Sequence, residues 1–261
     1  MHPLGIVPSN AAEAVRERLV DAFADHGRVA VIESDTVERS KTGATTAYRI
    51  DDGGDWQADG SGLDVADALD RLTPSHDYVI LAGFPDAAVP HLVIGDPGFD
   101  GDVLHAASDP ASVDPGAVRE SLEATPRRVT LESLIERTKD APGAHRAGAV
   151  ATFTGRVRER DTPEDTPTTH LEFETYEGVA DERMTALESE LESRDGVFAV
   201  RMHHRTGVIE SGEDIVFVVV LAGHREEAFE TVSDGIDRLK AEVPIFKKEV
   251  TVEDAFWRHE R

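Results

Sequence analysis

Only five lysines stand against 22 arginines in this sequence, and three of the five, Lys240, Lys247 and Lys248, crowd into nine positions near its end. An ammonium pair can neutralise an anion. A lysine beside other cations has its charged form disfavoured, so it can exchange a proton or act as a nucleophile closer to neutral pH. Phe229, Val232, Ile236 and Leu239 recur at helical spacing, which predicts a helix from about Arg225 to Glu242 with those four on its apolar side. Pro244 forces that helix to end. Lys240 then sits in the last turn and Lys247 just past the proline, where the turn can aim both at one space. For an arbitrary lysine pair the plainer reading is the stronger one: Lys240 complements the helix C-terminus, contributing roughly 0.3–1 kcal/mol, and Lys247 is a solvated strand residue.

Neighbouring cations weaken that plainer reading. His224-Arg225 opens the same helix, and Gly155-Arg156-Val157-Arg158 ends a predicted strand. Guanidinium groups offer forked donors to phosphate and a helix N-terminus adds free N–H groups, so the set suits an anionic ligand. His203-His204 lacks zinc-site spacing, and adjacent strand residues point to opposite faces, which favours core or surface roles for both. No metal-ligand set is evident, and no cofactor is expected.

Bulk properties narrow the chemistry further. A net charge of −25 argues against a nucleic-acid partner. Few lysines amid abundant Asp and Glu suit a halophilic protein kept soluble where salt screens charge heavily. There is no cysteine, hence no thiol nucleophile or persulfide carrier in the chain, and sulfur chemistry would need an outside donor. The longest apolar run, Ile215 to Ala222, is too short to span a bilayer and no secretory signal opens the chain, so a cytoplasmic protein without membrane contact is expected.

A seam is predicted near Ala124-Thr125-Pro126, separating a domain over 1–126 from one over 127–261. The first alternates strand signals (Leu4 to Val7, Arg28 to Glu33, Tyr78 to Ala82, Leu92 to Ile94) with helices at Asn10 to about His26 and Leu63 to Leu72. Asn10 and Glu13 read as an N-cap and capping box. That alternation predicts an α/β domain with a mostly parallel sheet. The second domain mixes strands (147–158, 170–176, 197–203, 214–222 and 247–252) with helices near 130–139, around Ala180 to Leu191, and at 225–242, so α+β is expected. Strand 214–222 is apolar throughout and should be buried on both faces.

Taken together, Gly148 to Arg158, Leu171 to Tyr176, His203 to Gly207, His224-Arg225, and Leu239-Lys240 with Pro244 to Glu249 resemble the large, catalytic subunit family of molybdopterin synthase. The resemblance covers roughly residues 127 to 261 and extends to Trp257. It implies that Lys240 and Lys247 are catalytic and that Arg158, His224 and Arg225 line a pterin and phosphate pocket. Arg261 is implied to reach the pocket of a neighbouring subunit. The implied reaction adds two sulfurs to cyclic pyranopterin monophosphate, giving the dithiolene of molybdopterin. The implied donor is a small ubiquitin-like sulfur carrier whose C-terminal Gly-Gly ends in a thiocarboxylate, and the implied assembly is a homodimer core with one carrier at each end of a heterotetramer. The competing reading is a noncatalytic adapter or scaffold that holds a pterin without transforming it.

The first domain resembles the P-loop adapter family of molybdopterin-guanine dinucleotide synthesis, through Leu4-Gly5-Ile6-Val7 with its following helix and through Asp77 to Phe84. Only Pro8 and Ser9 separate Val7 from Asn10, so the glycine-rich phosphate cradle and its Lys-Ser/Thr are missing, and a scaffolding role is expected. Calorimetric titration with magnesium and GTP should show no tight binding; a tight, magnesium-dependent isotherm would contradict this.

Overall fold

Short apolar runs separated by amphipathic segments build a parallel sheet in the first half of the chain. The computed structural model describes residues 1–34, 45–95, 98–176, 178–252 and 255–258. Two compact units result, Met1–Thr130 and Leu131–Arg261. The first comprises β1 (His2–Val7), α1 (Ser9–Ala24), β2 (Val29–Glu33), β3 (Thr46–Ile50), β4 (Trp56–Gly60), α2 (Val65–Leu72), β5 (Tyr78–Ala82), β6 (His91–Ile94), β7 (Val103–Ala107) and α3 (Pro115–Glu123). Strands run in the order β2-β5-β1-β6-β7, and every neighbouring pair is parallel.

Burial on both faces explains why β5 and β6 read as apolar runs. Val15, Leu19 and Phe23 of α1 and Val118 and Leu122 of α3 pack on Leu4, Ile6, Ile80 and Leu92. Leu69 of α2 packs with Val79 and Leu81 on the other face. The capping box assigned to Asn10 is not what starts α1: the helix begins at Ser9, and Pro8 holds the N-cap position in extended geometry without a side-chain cap. The strand-to-helix junction is simply too short for a cap at Asn10. An antiparallel hairpin, β3–β4, stands apart from the main sheet and was not anticipated. Its turn is tied by Asp51, whose Oδ1 accepts from the N–H groups of Gly53 and Asp55.

The second unit comprises α4 (Leu131–Lys139), β8 (Ala149–Arg156), β9 (Thr168–Thr175), α5 (Val179–Glu192), β10 (Val197–His204), β11 (Gly207–Glu210), β12 (Asp214–Ala222), α6 (Arg225–Glu242), β13 (Ile245–Thr251) and β14 (Ala255–Arg258). It carries two antiparallel sheets, β10-β12-β8 and β11-β9-β13-β14. As expected from its composition β12 is buried, and it is the middle strand of its sheet. Ala180, Met184, Leu187 and Leu191 of α5 enter the same core as Ile236 and Leu239 of α6.

The apolar face drawn for α6 needs correction at Phe229, which is 64% exposed. Ile236 and Leu239 are buried as expected, and the small residues Ala228, Thr231 and Gly235 are buried with them. Small residues let the helix approach its sheet closely. A Cβ added at Gly235 would lie 3.1 Å from Met202 Cε and 3.3 Å from Val218 Cγ1. Gly235→Leu should therefore lower stability by about 1–3 kcal/mol through overpacking. Phe229→Ser should change it by no more than about 0.5 kcal/mol. Urea denaturation of both variants checks the contrast.

Candidate functional site

Both sheets of the second unit and the end of α6 enclose a cavity of about 690 Å³. Val243, preceding proline, is extended (φ −90°, ψ 124°), and its N–H still closes the last helical turn on the Leu239 carbonyl at 3.0 Å. After Pro244 the chain enters β13 at once. Lys240 lines the cavity from the helix side. Ile245, Lys247, Glu249 and Thr251 line it from alternate positions of β13, and Phe246, two residues past Pro244, lines it too. Lys248 takes the opposite face. Its Nζ lies 2.8 Å from Oε2 of Glu172, the residue opposite it on β9. That carboxylate holds the Lys248 ammonium above its ordinary pKa, and Glu172 is pushed below its own.

Arg156, Arg158 and Arg160, at every second position where β8 runs out, also line the cavity. Arg156 Nε is 3.1 Å from Asp214 Oδ1, and an Nη group donates to the Gly212 carbonyl. Arg158 Nη2 lies 3.0 Å from Asp161 Oδ1, with 74% of its side chain exposed. Arg160 donates to the carbonyls of Pro163 (3.3 Å) and Asp165 (3.0 Å). On the β9 side Thr168 Oγ1 donates to Glu249 Oε1 at 2.6 Å. The lining thus carries five basic side chains and three acidic ones, Asp161, Asp165 and Glu249. Exposed ion pairs contribute little, so a phosphate can replace a carboxylate on these arginines at small cost.

Lys240, Lys247 and Arg158 come together as the sequence predicts. His224 and Arg225 do not join them. They stand at the opposite end of α6, and sixteen residues of helix at 1.5 Å each is about 24 Å. Neither lines the cavity. The two ends of one helix cannot share a site within a single chain. Arg261 lies outside the described residues. Arg160, Thr168, Glu249 and His204 are lining residues that sequence reasoning did not place in the site, although the alternation 156-158-160 and 247-249 carries the signal for two of them, Arg160 and Glu249. His203 and His204 do face opposite ways. His204 lines the cavity, whereas the His203 ring lies near Phe217 at 6.4 Å and burial lowers its pKa to about 4. Among the described residues no group of three or more His, Asp or Glu is placed to hold a metal ion, and no helix is long and apolar enough to cross a membrane.

Residues 124–242 match the family described as MoaE protein. A relative from Haloferax volcanii, named "Probable molybdopterin synthase", is 48% identical over 266 residues, covering 100% of both chains. The chain belongs to the molybdopterin synthase family. The family's catalytic subunit from Bacillus subtilis is 33% identical over 138 residues, 53% of this chain and 84% of that one. A molybdopterin synthase structure from Staphylococcus aureus shares 28% identity over 48% of this chain and 90% of its own, with a TM-score of 0.44. Family membership assigns the chain to molybdenum cofactor biosynthesis and to the sulfurtransferase activity that makes molybdopterin. The noncatalytic adapter reading is not favoured.

One pH effect follows from the desolvated imidazole of His203. Below pH 6.5 the unfolded chain protonates His203 while the folded chain resists until about pH 4, so stability must fall as pH drops through that window. The slope from this residue is at most about 1.4 kcal/mol per pH unit. His203→Phe should flatten the urea midpoint between pH 6.5 and 4; an unchanged profile would contradict it.

Proposed function

We propose that the second unit transfers sulfur from a thiocarboxylated, ubiquitin-like carrier to cyclic pyranopterin monophosphate. What carries the reading is one cavity, in a chain of net charge −25, that gathers Lys240, Lys247 and Arg158 while Lys248 turns away. A cysteine-free chain has no thiol or persulfide to give, which fits an outside sulfur donor, and the family resemblance makes that donor a small carrier protein whose C-terminal tail enters the cavity. Lys240, at the helix end, handles proton transfer or transient acyl capture at the carrier's terminal carbonyl. Lys247 and Arg158 neutralise the substrate phosphate and the thiocarboxylate. A homodimer core with a carrier at each end is the assembly this reading carries. The first unit serves as a scaffold.

The assay is purified chain, thiocarboxylated carrier and cyclic pyranopterin monophosphate, read as dithiolene pterin. Lys240→Ala should abolish product while fold and carrier binding persist. Lys247→Ala should lower turnover on the order of 10²-fold, and Lys248→Ala should leave it near normal. Near-normal turnover by Lys240→Ala rejects the assignment.

A further inference from the structure

Glu242 closes α6, where a carboxylate opposes the helix dipole and a cation would be the local preference. Two guanidinium groups hold it there. Arg238, one turn earlier, meets it side-on, with Nε 2.7 Å from Oε1 and Nη2 3.4 Å from Oε2. Arg183, reaching across from α5, also donates to Oε2. Glu190 of α5 completes the set: its Oε2 accepts from Arg238, and its Oε1 lies 3.4 Å from Arg183 Nη1. The two arginines hold the Glu190 carboxyl below its ordinary pKa. Each arginine bridges both glutamates, so the four side chains form a closed ring across the seam between the helices.

A single exposed pair would contribute little, but here Arg238, Glu242 and Arg183 keep only 25%, 29% and 33% of their side chains exposed, and each is held from two sides. Asp234, Arg238 and Glu242 stand four residues apart on one face of α6, and Asp234 makes a plain pair with Arg194 of α5. Lys240 is two residues from Glu242 and hence about 200° round the helix. It lines the cavity while Glu242 faces α5. Pinning Glu242 therefore fixes the rotation of the last turn about the helix axis, and that rotation sets the direction in which the Lys240 side chain leaves the backbone. Without such a tie a helix end frays.

We infer that Glu242 is a positioning residue for Lys240, acting through the four-membered ion ring that pins the last turn of α6 to α5. The inference rests on the sulfur-transfer reading for what Lys240 does, though not for where it points.

Glu242→Gln and Arg183→Gln, made in the full chain, remove charges of opposite sign from the ring. A purely electrostatic influence on Lys240 would act in opposite directions in the two variants, whereas loss of position acts alike. Both should lower kcat for dithiolene formation about tenfold, with KM for pterin and carrier within about twofold of the parent, at a temperature where urea denaturation shows the chain folded. Arg183→Lys, which keeps the charge, should recover kcat to within about threefold of the parent. Arg194→Gln, at the plain pair about two turns back, should leave kcat within about twofold. Competitive acetylation of the lysines, read by mass spectrometry as Lys240 against the exposed Lys139, needs no turnover and should rise about threefold or more in both ring variants. Opposite changes in the two variants, or a lowered urea midpoint with kcat and labelling unchanged, would overturn the inference. If the parent makes no dithiolene product, the sulfur-transfer reading fails and the labelling ratio alone decides the role of Glu242.

Discussion

Pro244 is the constraint on which the site depends. It has no N–H to continue the helical ladder, and it drives Val243 out of the helical region, so α6 must stop and the chain must enter β13 directly. No loop intervenes to loosen the relation between the two elements. Lys240 is therefore fixed by a helical turn and Lys247 by a strand register, seven residues apart in sequence and on one concave surface. A register slip of a single residue would send Lys247 out and Lys248 in. The ion pair between Lys248 and Glu172 across β13 and β9 opposes such a slip, because it is made only in the observed register.

Charge then gives that geometry its chemistry. Across a chain with 52 acidic and 27 basic residues, the cavity lining reverses the balance. Its arginines do not wait unpaired: Asp214 and Asp161 engage Arg156 and Arg158, and backbone carbonyls engage Arg160. Such exposed pairs are worth little and are screened by salt, so they keep the guanidinium groups extended without competing strongly against a phosphate, which offers more acceptor oxygens and more charge. The less polar part of the wall comes from other strands than the arginines: Val216 from the middle strand β12, His204 from β10, and Phe173 from β9 of the second sheet.

Much of this was legible in the residues because the governing signals are local. The bounds of β12 and α6 follow from an uninterrupted apolar run and from a proline, and the four apolar residues of α5 recur at helical spacing and are buried as a set. Where reading failed, a tertiary fact was missing. Phe229 has the right spacing but the wrong side, because Gly235 and Ala228 allow a closer approach to the sheet than large residues could. His224 and Arg225 seemed to belong with the lysines because they share a helix, yet helix length alone separates them. His204 stood out in the sequence only as half of a His-His pair with core or surface roles: its place in the cavity wall depends on which strands pair.

The most direct test of the central claim is a crystal structure of the chain soaked with cyclic pyranopterin monophosphate. The account predicts phosphate density within hydrogen-bonding distance of the Arg158 guanidinium and the Lys247 ammonium, with Lys240 Nζ facing the reacting end of the ring. Density for the substrate at any other surface, with Lys240 and Lys247 in bulk water, would contradict it.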